Sequence, residues 1–414
     1  MSIPQAASSE LTVARATDDD WDEIFATDAR AFLFTNPLSA AEQADMRGKV
    51  DNADVVLVRD PDGLVGRPLV GVSMFYRMTM TVPGETQHPA AGLSWVSVAG
   101  THRRRGILRT MITELFDQWE SEEQVFAILT ASEATIYERF GFGPACFSTE
   151  ISVDLAAAKV RRRADRKSSP VNYATADDVA ARIPELHARW AAMTPGALAR
   201  SRSWWDPILA DRESQRPAHS SGLHYLLHPD GYASYRINTS IEPTRADVAE
   251  VFAVTDAAHT DLWRVLVGLD LLPTLTASIP VDDPLQAKLT NHRAVSVTGV
   301  DDKMWLRILD VPRALTARSY SADLDVVIEV TDEFRGRGGV FDLSIRNGGA
   351  IVVPSVAAPT VRLDISVLGS LFLGGMTART FAAADRLWTD GPETLDVLDR
   401  AFTTTQAPFA GTFF

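Results

Sequence analysis

The chain has 414 residues with 40 basic and 54 acidic side chains, and its 46% hydrophobic share excludes a disordered polypeptide. This length predicts two or three domains, because one core rarely organises more than about 250 residues. The net charge of −14 repels phosphate backbones, so no nucleic-acid partner is expected. The single cysteine, Cys146, excludes an intrachain disulfide and a cysteine-rich metal site.

Targeting and membrane signals are weak in this sequence. The first ten residues, MSIPQAASSE, contain no basic residue and no apolar core, so a cleaved signal peptide is not expected. The longest apolar run, 366–376, is interrupted by three glycines and is shorter than the roughly 18–20 residues that span a bilayer. The sequence predicts a cytoplasmic protein without a membrane partner, and leaves secretion without a signal peptide open.

The first section predicts strands followed by strand–helix units. Apolar strands are expected at 54–59 and 69–82 with a Pro-Asp-Gly turn between them, and a third at 92–98. The apolar run 124–130 suits a buried strand flanked by helices. Strands alternating with helices predict an α/β domain.

Two helices are expected in the same section. Ser132 is predicted to cap a short helix that continues to Phe140 and ends at Gly141. Before it, apolar residues recur with a helical period from Leu108 onward. The buried face of this longer helix is predicted to be Leu108, Met111, Ile112, Leu115, Phe116 and Trp119.

The basic segment 156–172 predicts a linker, with an anionic docking patch as the alternative. Beyond it, residues 173–300 repeat the first section, with a strand–Pro-Asp-Gly–strand pattern at 223–236. When Val254 is superposed on Val98, His259 and Leu262 replace Arg103 and Gly106. The repeat predicts a duplicated domain that has lost its ligand site.

The last section differs from both copies. Strands are expected at 324–330, 340–346 and 361–365, and helices continue to Phe402. The final twelve residues carry no charged side chain.

The motif most informative about chemistry is VSVAGTHRRRGILRTMI, residues 96–112. A strand ends, an arginine- and glycine-rich loop follows, and an amphipathic helix begins. The unpaired N–H groups and positive dipole of a helix N-terminus can bind a pyrophosphate, and arginine suits bidentate contact. Neither a Walker loop nor a G-x-G-x-x-G fingerprint is present. The alternative is a basic helix start with a chance glycine.

This segment resembles the acetyl-CoA motif of GNAT N-acetyltransferases, and the whole chain resembles the Eis (enhanced intracellular survival) family. The strings that carry the resemblance extend over most of the length. They are TVPGE at 81–85, GLSWVSV at 92–98, THRRRGILR at 101–109, ASEATIYERFGFGPA at 131–145, LLHPDGYASYR at 226–236, LWRVLVGLDLL at 262–272, WLRILDVPRAL at 305–315 and VLGSLFLGG at 367–375.

The resemblance implies an α/β (α+β) protein of three domains. These are a GNAT domain with the acetyl-CoA site at 1–155, a GNAT-like domain without the cofactor motif at 156–303, and a sterol-carrier-like α+β domain at 304–414. It also implies a homohexamer that acetylates aminoglycosides at several amines. A lysine acetyltransferase acting on proteins, and a non-catalytic scaffold for an apolar ligand, are the alternatives.

The resemblance also assigns the site residues. It places the general acid at Tyr137 and the general base at the C-terminal carboxylate of Phe414. A tyrosine near pKa 10 and a thiol near 8.5 are close enough for proton donation to the departing sulfur. Acetyl-CoA is expected on Val96, Ser97, Val98, Arg103, Arg104, Arg105, Gly106, Ile107, Leu108, Arg109, Ser132 and Glu133.

Other candidates give weaker signals. Only His224 and His228 stand four residues apart, and they span a strand and its turn instead of one helix face, so no metal is predicted. Cys146 has no histidine near it in sequence, which favours core packing over an acyl-cysteine and therefore direct transfer. Twelve acidic residues against five basic ones in 1–60 are consistent with attraction of a polycation, or with a solvated surface. Residues 30–50 depart from the family pattern, so no individual substrate ligand is assigned.

Overall fold

The computed structural model describes residues 10–34, 37–64, 66–162, 169–240 and 243–414, which divide into two compact units. The first unit contains residues up to Met78, residues 90–129 and Phe414. The second contains residues 79–89 and 130–413, so the tip of one long hairpin belongs to it. The first unit contains or shares β1 (Thr12–Arg15), α1 (Trp21–Ala31), α2 (Ala40–Arg47), β2 (Val55–Arg59), β3 (Leu69–Val82), β4 (Thr86–Val98), α3 (Ile107–Ser121) and β5 (Phe126–Leu129).

The strand order in the first unit is β1-β2-β3-β4-β5. β1, β2 and β3 pair antiparallel, whereas β4 and β5 pair parallel. The predicted strands at 54–59, 69–82 and 124–130 are present as β2, β3 and β5. β4 ends where expected but begins at Thr86, six residues earlier than predicted.

Helix α3 packs on this sheet through an apolar face. Its Trp119 meets Phe75 of β3 edge-on, with ring centroids 5.7 Å apart. The predicted face is correct except at its start: Leu108 is half-buried, and Ile107 is buried instead. The packing fixes where the N-terminus of α3 lies relative to the end of β4.

The second unit contains most of the remaining elements. Its first part holds α4 (Ala134–Tyr137), β6 (Gly143–Asp154), β7 (Asn172–Tyr173), α5 (Ala176–Met193), α6 (Arg202–Ala210), β8 (His224–His228), β9 (Gly231–Asn238), β10 (Arg245–Ala253), α7 (Asp256–Leu266), β11 (Thr274–Pro280), α8 (Leu285–Lys288) and β12 (Val295–Ile308). Its strands are ordered β12-β6-β11-β10-β9-β8-β7. β6 pairs antiparallel with both β11 and β12.

The short helix after β5 differs from its prediction. Ser132 is not its cap, because α4 begins at Ala134 with Glu133 in the N-cap position. One turn of 3-10 helix follows, and Gly141 ends it with φ +82°, as expected for a helix-terminating glycine.

The second copy also departs from the superposition of Val254 on Val98. β10 ends at Ala253 and α7 begins at Asp256, so His259 and Leu262 already lie inside the helix. The loop has been shortened as well as changed in sequence, which superposition without gaps could not reveal.

The chain from Val311 onward forms a second sheet ordered β15-β14-β13-β16-β17. The three predicted strands are present in it as β13, β14 and β16. Its elements are α9 (Val311–Ala317), β13 (Leu324–Thr331), β14 (Gly339–Arg346), β15 (Gly349–Pro354), β16 (Val361–Asp364), α10 (Ile365–Phe372), α11 (Ala378–Ala383), β17 (Leu387–Thr389) and α12 (Pro392–Phe402).

Two glycines allow α10 to pack closely against β6 and β12. A Cβ on Gly369 would lie 2.3 Å from the Leu306 carbonyl oxygen, and one on Gly143 would lie 2.0 Å from that of Ser366. Every residue of α10 is buried. The mixed α/β class predicted from the sequence is confirmed.

The predicted domain boundaries at 155 and 303 remain a prediction. Of the basic linker segment, residues 163–168 lie outside the described residues, while Val160 bridges to Leu289. Among the described residues, no helix is long and apolar enough to cross a membrane.

Candidate active site

The parallel strands β4 and β5 pair over a short stretch only. Their ladder runs from Ala90 opposite Phe126 to Leu93 opposite Leu129, and β4 continues for five residues beyond it. Trp95 in this extension has φ +53°, which interrupts the regular pleat. An extended ligand can pair with a strand main chain that has left its neighbour. Residues Val96, Ser97 and Val98 all lie on this extension.

The loop after β4 forms a tight path into α3. Arg104 and Gly106 have φ of +63° and +82°, and Gly106 occupies the N-cap of the helix. A Cβ added to Gly106 would meet no atom within 4 Å, so it would project into open space. The first turn of α3 contains no acidic residue. The helix N-terminus is therefore accessible to an anion, with no repelling charge in the first turn of the helix.

The arginines of this loop are not equivalent. Arg103, Arg104 and Arg105 of the loop and Arg109 of α3 are all exposed, but Nη1 of Arg105 also lies 3.2 Å from a carboxylate oxygen of Asp60. The same oxygen of Asp60 lies 2.9 Å from Nε2 of His102. These neighbours, His102 foremost, hold the pKa of Asp60 below its usual range. Asp60 thus stabilises the loop and neutralises part of the charge of Arg105, a contribution that the sequence did not indicate.

A buried carboxylate also contacts the β4 extension. Asp28, in the last turn of α1, accepts a hydrogen bond of 2.7 Å from the Ser97 hydroxyl. Burial raises the pKa of Asp28 to about 6, because it outweighs the stabilising bond from Ser97. Burial raises the pKa of Tyr76 to about 12, and the charge of Asp28 adds to this shift. In sequence, Asp28 is one of the twelve acidic residues of 1–60, which are consistent with attraction of a polycation or with a solvated surface.

The C-terminal residue Phe414 belongs to the first unit and lies against β4. A Cβ on Gly92 would lie 3.1 Å from Cε2 of Phe414 and 2.6 Å from Sδ of Met78. Gly92 is one residue before the β4–β5 ladder ends, so the terminal ring packs where the two strands part.

Tyr137 lies in the second unit. It ends α4, is only 7% exposed, and packs edge-on against Phe142 with centroids 6.3 Å apart. Burial, aided by the charge of Glu133, raises the pKa of Tyr137 to about 12. The expectation of a value near 10 is therefore wrong. Ser132 and Glu133 are exposed on the segment before the helix.

Two alternative chemistries gain no support from the structure. Cys146 is fully buried, and burial raises the pKa of its thiol. A Cβ on Gly196 would lie 2.5 Å from its sulfur, so the thiol fills a tight core position. Within the described ranges, no group of three or more metal-binding side chains could hold an ion.

Comparison with known proteins decides the family. One family model of an acetyltransferase (GNAT) domain matches residues 12–145, and a second model of such a domain matches residues 196–308. The model of the sterol carrier protein domain matches residues 311–411. The N-acetyltransferase Eis of Mycobacterium tuberculosis is 39% identical over 399 residues, covering 95% of this chain and 96% of that protein. The chain belongs to the Eis family of N-acetyltransferases.

Other relatives and solved structures agree with this membership. An uncharacterised N-acetyltransferase of Streptomyces coelicolor is 33% identical and covers 89% of this chain and 91% of its own. The crystal structure of Eis1 from Mycobacterium abscessus has a TM-score of 0.84 at 29% identity, covering 98% and 100% of the two chains. A GCN5-related N-acetyltransferase from Anabaena variabilis shares the fold, with a TM-score of 0.83 at 18% identity and the same coverage.

The residues of the first unit fit the acetyl donor that GNAT enzymes use, acetyl-CoA. The β4 extension suits an extended amide chain, and the open helix N-terminus at Gly106 suits a pyrophosphate. This Eis-family protein is therefore an N-acetyltransferase, with an α/β fold that comprises two GNAT domains and a C-terminal sterol-carrier-like domain.

Proposed function

We propose that the protein acetylates several amines of polycationic small molecules, aminoglycosides first, by direct transfer from acetyl-CoA in a ternary complex. The observation that carries this proposal is the position of the terminal residue. The ring of Phe414 packs on Gly92, where β4 separates from β5, and this position supports a role for the terminal carboxylate beside the strand on which acetyl-CoA is proposed to bind.

The acceptor class follows from the charges around β4. A cationic amine needs a partner that remains ionised, and Asp28, with a pKa of about 6, is ionised at neutral pH. Its contact with Ser97 places this charge on the extension of β4. The net charge of −14 attracts polyamines over longer distances.

The proposed donor contacts follow the loop geometry. The main chain of Val96, Ser97 and Val98 would pair with the pantetheine amides. Arg103, Arg104, Arg109 and the N–H groups of Gly106, Ile107 and Leu108 would bind the pyrophosphate, and Arg105 would contribute with its charge reduced by Asp60. Ser132 and Glu133 would contact the donor from the segment before α4. When bound, acetyl-CoA supplies a thioester acyl group that is activated toward amines.

The proton transfers require one acid and one base. As the amine nitrogen bonds to the acyl carbon and the carbon–sulfur bond breaks, the carboxylate of Phe414 takes the amine proton and Tyr137 donates its phenolic proton to sulfur. A pKa of about 12 keeps Tyr137 protonated throughout the neutral and mildly alkaline range. Direct attack also agrees with the buried, protonated thiol of Cys146.

Steady-state assays separate the acceptor classes. We expect kanamycin-like amines to be acetylated with a higher kcat/KM than lysine peptides, and mass spectrometry to detect more than one acetyl group per molecule. Initial-rate patterns should intersect, as a ternary complex requires, since an acyl-enzyme gives parallel lines. Lack of turnover with every aminoglycoside tested would overturn the acceptor assignment.

We also propose the homohexamer that family membership suggests. Sedimentation analysis of the full chain should give six times the protomer mass at micromolar concentration. A monomer under those conditions would contradict the assembly and leave the chemistry to be tested separately.

A further inference from the structure

The C-terminal segment 406–412 lies along the connection between α5 and α6. The two stretches run in the same direction, and hydrogen bonds join them at intervals. These are Gln406 Nε2 to the Met193 carbonyl (2.6 Å), Phe409 N to the Pro195 carbonyl (2.9 Å), and Leu198 N to the Ala410 carbonyl (3.1 Å). The tail is therefore ordered by contacts within the second unit, whereas most chain ends fray.

A buried arginine provides the last of these contacts. Nη2 of Arg200 donates to the Gly411 carbonyl and to Glu250, both at 2.6 Å, and Nε donates to the Thr412 hydroxyl at 2.9 Å. The side chain is 4% exposed. Its guanidinium stacks 4.8 Å from the centre of the Trp205 ring. One fixed cation thus contacts two consecutive tail residues.

Glu250 and Tyr232 hold this arginine in place. The Tyr232 hydroxyl donates to the second oxygen of Glu250 at 2.8 Å. Burial disfavours the charge on Arg200, but Glu250 and Tyr232 more than offset it and raise the pKa of the guanidinium. Buried ion pairs of this kind contribute little net stability, and their best-attested use is to specify a position.

The tail also fits sterically against aromatic rings. Gly411 has φ +65°, and a Cβ there would lie 2.3 Å from Cη2 of Trp190 and 3.2 Å from Cζ of Phe252. Phe409 meets the same Trp190 edge-on, with centroids 6.2 Å apart. Only glycine allows the main chain to approach these rings so closely.

The elements that hold the tail have counterparts in the first copy. α5 lies between the first two strands of its copy, as α1 does, and β10 is the strand that pairs parallel with the next one, as β4 does. In the first copy, Asp28 of α1 and Ser97 of β4 form the proposed acceptor face. In the second copy, Trp190 of α5 and Phe252 of β10 contact the tail instead.

We infer that the acceptor face of the second GNAT-like copy is a binding site for the chain's own C-terminus, with Arg200 as the positioning residue for the terminal carboxylate. Two residues after Thr412 span at most about 7 Å, so the anchor limits where Phe414 can lie. Phe413, which lies between Thr412 and Phe414 in the chain, is 80% exposed. The catalytic consequence rests on the proposed role of that carboxylate.

Gly411→Ala tests the site with a matched control. The Cβ would collide with Trp190, whereas Gly336→Ala introduces the same backbone strain (φ +64°) with no atom within 4 Å. We expect faster hydrogen exchange at the Phe409 amide and a kcat lower by about 10–100-fold in Gly411→Ala only, with an unchanged Kd for acetyl-CoA. Adding Trp190→Phe to Gly411→Ala should restore part of the protection and rate.

Arg200→Gln gives an independent test that removes the guanidinium without adding steric bulk. Its control is Arg236→Gln, which removes an arginine paired with Asp211 in the same copy. Arg200→Lys should recover part of the kcat that Arg200→Gln loses.

The readouts separate two kinds of failure. Equal exchange at Phe409 in the two alanine variants would overturn the tail site. Faster exchange with an unchanged kcat would uphold the site but overturn both the positioning role and the proposed base.

Discussion

The two GNAT-like copies differ most between the parallel strand and the helix that follows it. Eight residues separate β4 from α3, whereas two separate β10 from α7. The N-cap of α3 is a glycine without a side chain, while the N-cap of α7 is Thr255, whose hydroxyl accepts a 3.1 Å bond from Ala258 N. Asp256 adds a negative charge to the first turn of α7. The N-terminus of α7 therefore has an N–H group bonded by its own cap residue, and the charge of its first turn repels anions.

This contrast supports two proposed uses of one fold. An accessible helix N-terminus with exposed arginines suits a phosphate, and loss of the loop removes that ability without disturbing the sheet. The face beside β10 remains, and it holds a peptide segment through Arg200 and Trp190.

The largest expected effect is on the proposed acid. Tyr137→Phe should lower kcat by about 10²–10⁴-fold, because it removes the proton for the leaving thiolate. Tyr320→Phe, after α9, is the control, since burial also raises the pKa of Tyr320 and its hydroxyl donates to the Leu315 carbonyl. Equal rates for the two variants in a thiol-release assay would contradict the assignment.

The next effect concerns the phosphate loop. Gly106→Ala should weaken acetyl-CoA binding about tenfold or more in calorimetry, because the new methyl group occupies the space from which an anion approaches. Gly66→Ala is the control: its φ is +64°, and its Cβ also meets no atom within 4 Å. Both variants pay about 1–2 kcal/mol of backbone strain, so only the difference in Kd is diagnostic.

A smaller effect is expected at the acceptor. Asp28→Asn should raise KM for a polyamine about tenfold, since a charge-assisted hydrogen bond is lost, and leave the Kd for acetyl-CoA unchanged. In the wild type, acceptor affinity should fall as pH falls through about 6, where Asp28 becomes protonated. A KM independent of pH between 5 and 8 would refute this role.

The charge of Asp28, which is proposed to favour acceptor binding, should lower the stability of the folded state. The pKa of Asp28 is raised on folding, so the folded state loses stability as pH rises from about 4 to about 6. Asp28→Asn should therefore raise the free energy of unfolding by roughly 2 kcal/mol at pH 7 and by little at pH 4. Denaturant titrations at the two pH values measure the difference.

The smallest effects concern single exposed arginines. Arg103→Ala or Arg104→Ala should raise KM for acetyl-CoA only about threefold, and less at high salt, because exposed charges contribute up to about 1 kcal/mol. Arg264→Ala on α7 should leave KM unchanged. An equal increase in KM for acetyl-CoA in all three variants would contradict the proposal that the loop before α3, and not the start of α7, binds acetyl-CoA.

The sequence predicted features that depend on local patterns. β2 and β3 are uninterrupted apolar strands separated by a Pro-Asp-Gly turn, and α3 has a clear helical period, so their positions followed directly. Ser132 does not cap α4, because the helix begins at Ala134 and the N-cap position directly before it belongs to Glu133.

Features that depend on tertiary contacts could not be predicted. Asp28 and Asp60 look like surface acids in sequence, and only burial and their partners Ser97 and His102 distinguish them. Arg200 lies in a connection between helices with Arg202 two residues later, so nothing in the sequence distinguishes it, and its partners Gly411 and Thr412 are more than 200 residues away. The loop of the second copy was misaligned because a deletion leaves no residue to compare.

The most direct test of the account moves the terminal carboxylate and nothing else. Adding one glycine after Phe414 should lower kcat about a hundredfold while the Kd for acetyl-CoA stays unchanged. Phe414→Leu, which keeps the carboxylate at residue 414, should retain kcat within a few-fold. An extended chain that acetylates an aminoglycoside at the wild-type kcat would contradict the claim that the second copy anchors a catalytic C-terminus.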